Sequence, residues 1–238
     1  MASDDFDIDS LAAYLHLTPP QVRRLADRDR LPVRKVAGEW RFSRAEIHHW
    51  MESRMGLLDD DQLADVEDTL ERLSGESTSE PQLLVADMLL PEAIAAPLKA
   101  RTRGSAIISM AELAAETGLL WDFQKMAEAV RAREDMHPTA MENGVALLHP
   151  RRPMPNILAE PLLAMGRTDQ GIPFGGSHGV LTDIFFLICS MEDRGHLRML
   201  ARISRLIQDE SLLAGIRAAS DAAAVHRMIV DREEKLLS

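Results

Sequence analysis

The spacing of apolar positions divides the chain into two unlike parts joined by a stretch poor in them. Near the N-terminus, Leu11, Tyr14 and Leu15 line one face of a helix. Thr18-Pro19-Pro20-Gln21 then supplies a threonine N-cap, prolines at the helix start and a glutamine at the capping-box position. A second helix therefore begins near Pro19, with Val22 and Leu25 turned inward. After Leu31-Pro32, the stretch Val33-Arg34-Lys35-Val36-Ala37-Gly38-Glu39-Trp40-Arg41-Phe42 reads as a two-stranded wing turning near Gly38. Ser43-Arg44-Ala45-Glu46 is a capping box that opens a third helix running through Trp50.

The second part reads as a mixed α/β layer structure. Its strand candidates are Ala106-Ile107-Ile108-Ser109, Gly144-Val145-Ala146-Leu147-Leu148, Leu162-Leu163-Ala164-Met165 and Ile184-Phe185-Phe186-Leu187-Ile188. Residues 111–118, 122–133, 196–208 and 210–218 read as helices. Between the two parts, Leu63, Val66, Leu70 and Leu73 recur at heptad-like spacing. Residues 59–73 thus predict a short helix that either pairs with a second copy, giving a homodimer, or packs on its own chain; so short a seam is marginal alone. Ser74-Gly75-Glu76-Ser77-Thr78-Ser79-Glu80-Pro81 reads as a flexible linker. The expected division is 1–56, an acidic helix and linker over 57–81, and a larger domain over 82–238.

Charge sharpens this division. Residues 11–54 hold nine Lys or Arg against five Asp or Glu, whereas the whole chain of 238 residues carries a net charge of -11. A basic module inside an acidic protein points to a polyanion partner for that module alone. Residues 59–80 carry nine acidic side chains against the single basic Arg72, so much of that stretch must be solvated. Apolar residues make up 46% of the chain, enough for a sizeable core in the larger domain. Cys189 is the only cysteine, which excludes an internal disulfide, and its place after an apolar strand suits a core residue. The apolar runs are too short to span a membrane and nothing reads as a signal peptide, so the expectation is a cytoplasmic protein. Neither a metal nor a cofactor is expected: Gly175-Gly176-Ser177-His178-Gly179 reads as a loop, and the adjacent His48 and His49 point to different helix faces.

The candidate chemistry lies in the run Arg133-Glu134-Asp135-Met136-His137-Pro138-Thr139-Ala140-Met141-Glu142-Asn143-Gly144-Val145-Ala146-Leu147-Leu148-His149, which delivers a histidine at the end of a short apolar strand. A neutral imidazole nitrogen is nucleophilic near neutral pH and can be held in one tautomer by a hydrogen bond to its other nitrogen. It can therefore take up a phosphoryl group and release it. Taken alone, the same segment also reads as a surface histidine that merely ends a strand.

Residues 84–230 resemble a type-2 enzyme IIA domain of the bacterial phosphotransferase system, in the fructose, mannitol and nitrogen-regulatory group. The resemblance rests on Arg133-Glu134, Thr139 and Gly144-Val145-Ala146 leading to His149, on Val180 and Asp183-Ile184-Phe185-Phe186-Leu187-Ile188, and on His196-Leu197 with Leu200-Ala201 and Leu206-Ile207. It implies that His149 receives phosphate from a histidine-containing phosphocarrier protein, with His196 as the second active-site histidine and Arg133 as the arginine near the site. A guanidinium and a second imidazole suit the charge spread over phosphoryl oxygens. Two positions depart from the family pattern: Leu148 stands where proline is usual, and Glu142 where glycine is common.

Residues 8–54 resemble an excisionase-type, or MerR-like, winged helix-turn-helix domain, through the Leu31-Pro32 turn and the wing ending Trp40-Arg41-Phe42. That resemblance implies DNA binding, with Arg23 and Arg24 approaching the major groove and Arg34, Lys35 and Arg41 touching phosphates. The sequence thus leads to a transcriptional regulator in which phosphotransferase status at His149 is coupled to DNA binding. Two other readings stay open: a phosphocarrier that hands phosphate to a sugar-specific partner, and a degenerate IIA domain that binds without chemistry.

Overall fold

A computed structural model of the chain describes residues 5–15, 17–28, 31–44, 46–47, 50–51, 63–64 and 84–237. The linker, His48, His49 and, apart from Leu63 and Ala64, the 59–73 seam lie outside the described residues.

The N-terminal module is built on a small antiparallel sheet of order β1-β3-β2, formed by β1 (Asp5–Phe6), β2 (Arg34–Val36) and β3 (Glu39–Ser43). Helix α1 (Ile8–Leu15) and helix α2 (Pro19–Asp27) pack beside it. Gln21 caps the start of α2, its side-chain oxygen accepting from the Thr18 N–H at 2.7 Å and the Thr18 hydroxyl at 2.8 Å. The β2–β3 hairpin turns through Ala37 and Gly38, both at positive φ (53° and 87°), the geometry whose twist matches the flanking strands. Leu11, Val22, Phe42 and Ile47 are fully buried, and Phe6 stacks on Tyr14 with ring centroids 4.8 Å apart. Arg44, Glu46, Ile47, Trp50 and Met51 are helical, in keeping with a third helix.

The larger domain is a four-stranded mixed sheet flanked by helices. Its strands β4 (Ile94–Ala95), β5 (Val145–Leu148), β6 (Leu162–Pro173) and β7 (Leu181–Cys189) run in the order β4-β6-β7-β5. Only the β6–β7 pair is antiparallel; β4 lies parallel to β6 and β5 parallel to β7. Because successive strand side chains point to opposite faces, each strand splits between two apolar clusters. Ala146, Leu148, Leu162, Ala164, Phe185, Leu187 and Cys189 join the cluster of helices α4 (Arg103–Glu116) and α5 (Phe123–Met136), which follow the short helix α3 (Val85–Met88). Val145, Leu147, Leu163, Met165, Ile184, Phe186 and Ile188 join the opposite cluster, with α6 (Asp193–Leu206), α7 (Glu210–Ala218) and α8 (Ala222–Leu237). Both faces are covered, so the strands read in sequence as continuous apolar runs.

One strand expected from the sequence is a helix. Ala106-Ile107-Ile108-Ser109 belongs to α4, where the Thr102 hydroxyl accepts from the Ser105 N–H at 3.1 Å as an N-cap and buried Ala106, Ile107, Met110, Ala111, Leu113 and Ala114 recur at helical spacing. The β-branched pair in the middle gave the misleading strand signal; the cap upstream decides for helix. Leu63 is fully buried in the apolar cluster that also holds Leu197 and Met199, which agrees with packing on its own chain.

The C-terminal helix is locked down by charge. Glu233, 1% exposed, accepts from the backbone N–H groups of Val85 and Ala86 at 2.7 and 2.9 Å and from the Arg202 guanidinium at 3.2 Å. It ties α8, α6 and the start of α3 together. Glu233→Ala removes the buried carboxylate that meets Arg202 and the Val85 and Ala86 N–H groups and is expected to cost about 3–5 kcal/mol in urea unfolding, whereas Arg202→Met with Glu233→Met is expected to cost far less.

Candidate active site

The alternation of β5 settles which way its last histidine points. Val145 and Leu147 face the α6 side and Ala146 and Leu148 the α4–α5 side, so His149, next in line, falls on the α6 side. Ser190, following β7, does the same. His196 occupies the first turn of α6, its N–H bound to the Glu192 carbonyl at 3.1 Å. The three side chains meet: the His149 and His196 rings lie 4.9 Å apart, tilted by 56°, and the Ser190 hydroxyl is 3.2 Å from His196 Nδ1. His149 Nδ1 lies 2.9 Å from the Leu147 carbonyl oxygen. A carbonyl can only accept, so in the neutral ring that contact requires Nδ1 to carry the proton and leaves the lone pair on Nε2.

Arg133 and Glu134 end α5 and are 5% and 0% exposed. They hold the connection that leads into β5. Arg133 Nη1 donates to the His137 carbonyl at 2.7 Å, and the Glu134 carboxylate accepts from the Thr139 N–H at 3.1 Å and hydroxyl at 2.5 Å. Burial pushes the Glu134 carboxyl above its ordinary range, while the Thr139 hydrogen bonds and the Arg133 and His149 charges draw it part of the way back. Arg133 and His149 thus act on one common carboxylate. Arg103 reaches toward the same group, 3.9 Å from Glu134 and 3.3 Å from Asp135.

A second clamp holds the loop on the other side of Thr139. Arg217 on α7 donates to both oxygens of Asp183 at 2.7 and 2.9 Å and to the Asn143 carbonyl at 2.7 Å, while Asn143 donates to the Ile207 carbonyl at 3.1 Å. Gly144, at φ 82°, fits beneath this clamp: a Cβ there would stand 2.8 Å from the Arg217 guanidinium. Sequence reasoning missed Ser190 and Arg217. No local motif marks either residue; the strand alternation could have placed Ser190 beside the histidines.

The cations of the N-terminal module separate into two sets. Arg23 and Arg24 on α2 and Arg28 at its C-cap are exposed, and line a shallow concavity with Pro19, Pro20 and Asp27. In the wing, Arg34 pairs with Asp5, Arg41 with Glu39 at 2.7 Å, and the Lys35 ammonium sits 4.3 Å from the Trp40 ring centroid. The residue types expected at a nucleic-acid surface are present, and the wing cations are already engaged within the chain.

Comparison with known proteins bears on the family and the fold. Residues 87–231 match the family described as phosphoenolpyruvate-dependent sugar phosphotransferase system, EIIA 2, and residues 6–55 match a helix-turn-helix domain. A nitrogen regulatory protein of Bradyrhizobium diazoefficiens is 33% identical over 148 residues, covering 61% of this chain and 94% of the relative. The fructose-specific EIIABC component of Bacillus subtilis is 24% identical over 143 residues, 59% of this chain and 22% of that protein. In fold, the chain is similar to the nitrogen regulatory protein IIA-Ntr from Neisseria meningitidis, with a TM-score of 0.54 at 19% identity, covering 61% of this chain and 98% of that one. The IIA mannitol structure from Escherichia coli has a TM-score of 0.52 at 18% identity, over 58% of this chain and 96% of that one.

Thr139→Val removes the stronger donor to Glu134 and is expected to raise that carboxyl further. A carboxyl raised in the native state contributes stability below its unfolded value of 4.5 and loses it as pH rises through the native value. The deficit of the variant against the parent, about 1–3 kcal/mol when fully developed, is therefore expected to be smallest near about pH 4 and to grow toward about pH 8 in urea titrations.

Proposed function

This chain belongs to the EIIA 2 family of the phosphoenolpyruvate-dependent sugar phosphotransferase system and carries a helix-turn-helix domain ahead of it, and on that premise we propose that it is a transcriptional regulator whose phosphorylation at His149 alters DNA binding. The observation that carries the reading is the 2.9 Å contact between His149 Nδ1 and the Leu147 carbonyl, which supports Nε2 as the nucleophile. The Nε2 lone pair attacks the phosphorus of a phosphohistidine on the small histidine-containing carrier. The carrier's P–N bond breaks and its electron pair returns to the carrier imidazole. No proton need leave His149, because Nδ1–H stays on Leu147. His196, oriented by Ser190, and Arg133 supply positive or donor groups for the phosphoryl oxygens. Leu148 does not prevent this arrangement, since the strand backbone and the Nδ1 contact hold the histidine without a proline before it.

The division into a DNA-binding module over 1–56, a connector over 57–81 and a phosphoryl-accepting domain over 82–238 belongs to the same proposal. So does a cytoplasmic place of work: no described helix is long and apolar enough to cross a membrane. For DNA, Arg23 and Arg24 are the principal contacts. Arg34 and Arg41 must exchange Asp5 and Glu39 for phosphates, and surface ion pairs of this kind are weak enough to exchange. That same pairing favours a second reading, in which the module docks a protein and the domain passes phosphate onward to a sugar-specific partner. Pairing with a second copy through 59–73 is kept as a variant of the first reading, against the burial of Leu63 within its own chain.

Incubation with phosphoenolpyruvate, enzyme I and the carrier is expected to add one acid-labile phosphate to the parent and none to His149→Ala, read by intact mass. No gain with a demonstrably charged carrier leaves a binding module without transfer. On a mixed-sequence DNA duplex, Arg23→Ala with Arg24→Ala is expected to weaken binding and to lower the slope of log affinity against log salt by about two. An unchanged slope overturns the DNA reading in favour of protein docking.

A further inference from the structure

His149 and His196 are only 2% and 5% exposed, yet a donor carried on another protein must bring its phosphorus to a ring nitrogen. The covering of α6 bears on this. A helix with Arg194, Arg198 and Arg205 among its outward positions ordinarily leaves that face in water. Here none of its residues is exposed: nine are buried and the rest half-buried. The sheet, α3 and α8 cover its inner sides. The apolar cluster of α6 continues without a break into the N-terminal module, joining Leu197, Met199 and Leu200 with Phe6, Leu11, Tyr14 and Ile47. Tyr14 marks the point of approach. Its phenol is pushed up to about 12, first by burial and then by the charge of Asp193, with Arg44, Arg194 and Glu192 also in reach. Glu192, Asp193 and Arg194 lie two to four positions before His196, and Asp193 lies one turn before it on the same helix face. Arg44 stands 4.5 Å from the Phe6 ring centroid and 5.7 Å from that of Tyr14, so it stiffens the same corner.

We infer that the N-terminal module, through its Phe6–Tyr14–Arg44 corner, is seated over the first turn of α6 and closes the His149–His196 pair in the resting chain. The carrier must displace that corner before His149 reacts, and a phosphoryl group on His149 keeps it displaced. This consequence rests on the proposed function; the closure itself does not. It gives the two domains a direct coupling in which one surface serves either the module or the carrier.

Carbethoxylation by diethyl pyrocarbonate, followed residue by residue by mass spectrometry on the full chain, tests the closure without any phosphate. His149 is expected to react about tenfold or more slowly than the exposed His137 and His178 of the same molecule. Tyr14→Asp with Arg44→Glu on the module side, and separately Glu192→Lys at the exposed N-cap residue before α6, are each expected to bring His149 to within a few-fold of those references. Cys189, fully buried with its thiol pushed up to about 12, reports whether the larger domain has stayed folded through its resistance to iodoacetamide. Opening of His149 while Cys189 stays unreactive supports the closure. Three results overturn it: His149 as reactive as His178 in the parent, His149 equally slow in both variants, or His149 opening only together with Cys189. A chain that shows the closure but takes no phosphate from the carrier sinks the proposed function and leaves the closure standing.

Discussion

Burial of the four-stranded sheet on both faces is the constraint from which the functional geometry follows. With helices on either side, every strand residue is committed to one cluster or the other, and a one-residue slip would exchange the two sets. Leu147 and Leu148 are committed to opposite sides, and that fixes His149 on the side of α6. The same rule brings Ser190 beside His196. The pairing of two histidines 47 positions apart in number therefore needs no special loop; it is a by-product of strand parity and of α6 starting just after β7.

Parity alone leaves the approach to β5 undetermined, and polar clamps settle it. On one side Arg133 and Glu134 hold the 137–139 connection by its carbonyl, amide and hydroxyl. On the other, Arg217 joins Asp183 to the Asn143 carbonyl and leaves room only for glycine at 144. Arg133 and Glu134 sit away from water, where an unmatched charge is costly, whereas Arg217 is exposed and holds the loop through its forked contacts with Asp183 and Asn143. Glu134 is the exacting member, since its burial is only partly offset by Thr139 and the neighbouring charges. The Arg202–Glu233 pair extends the same logic to the far side of α6, so the helix bearing His196 is fixed at both ends.

The N-terminal module achieves with few residues what the larger domain does with many. A hairpin turning through two positive-φ residues, a capped α2 and a small apolar centre present Arg23, Arg24 and Arg28 outward. Its wing cations are each matched inside the module, which lowers the electrostatic gain available from a polyanion and places more of it on α2.

Much of this was legible in the chain itself. Local signals fixed what local physics controls: the Thr18-Pro19-Pro20-Gln21 start of α2, the hairpin at Gly38, the run from Val145 to Leu148, the helix at 210–218 and the segment that ends in His149. Signals of the same kind failed where two local readings compete, as in Ala106–Ser109, whose β-branched residues spoke for a strand until the Thr102 cap was considered. The helix at Ala222–Leu237 and the two-residue strand at Ile94 went unread, one for its weak apolar stripe and one for its length. What only the tertiary structure decided were relations between distant residues: that His149 meets His196, that Arg133 and Glu134 are buried rather than solvated, that Arg217 reaches Asn143, and that Arg34 and Arg41 are already paired. The sequence specifies which chemistry each residue can perform, because that lies in the side chain. Which residues act on one another depends on how strands and helices pack, and packing is set by the whole core at once.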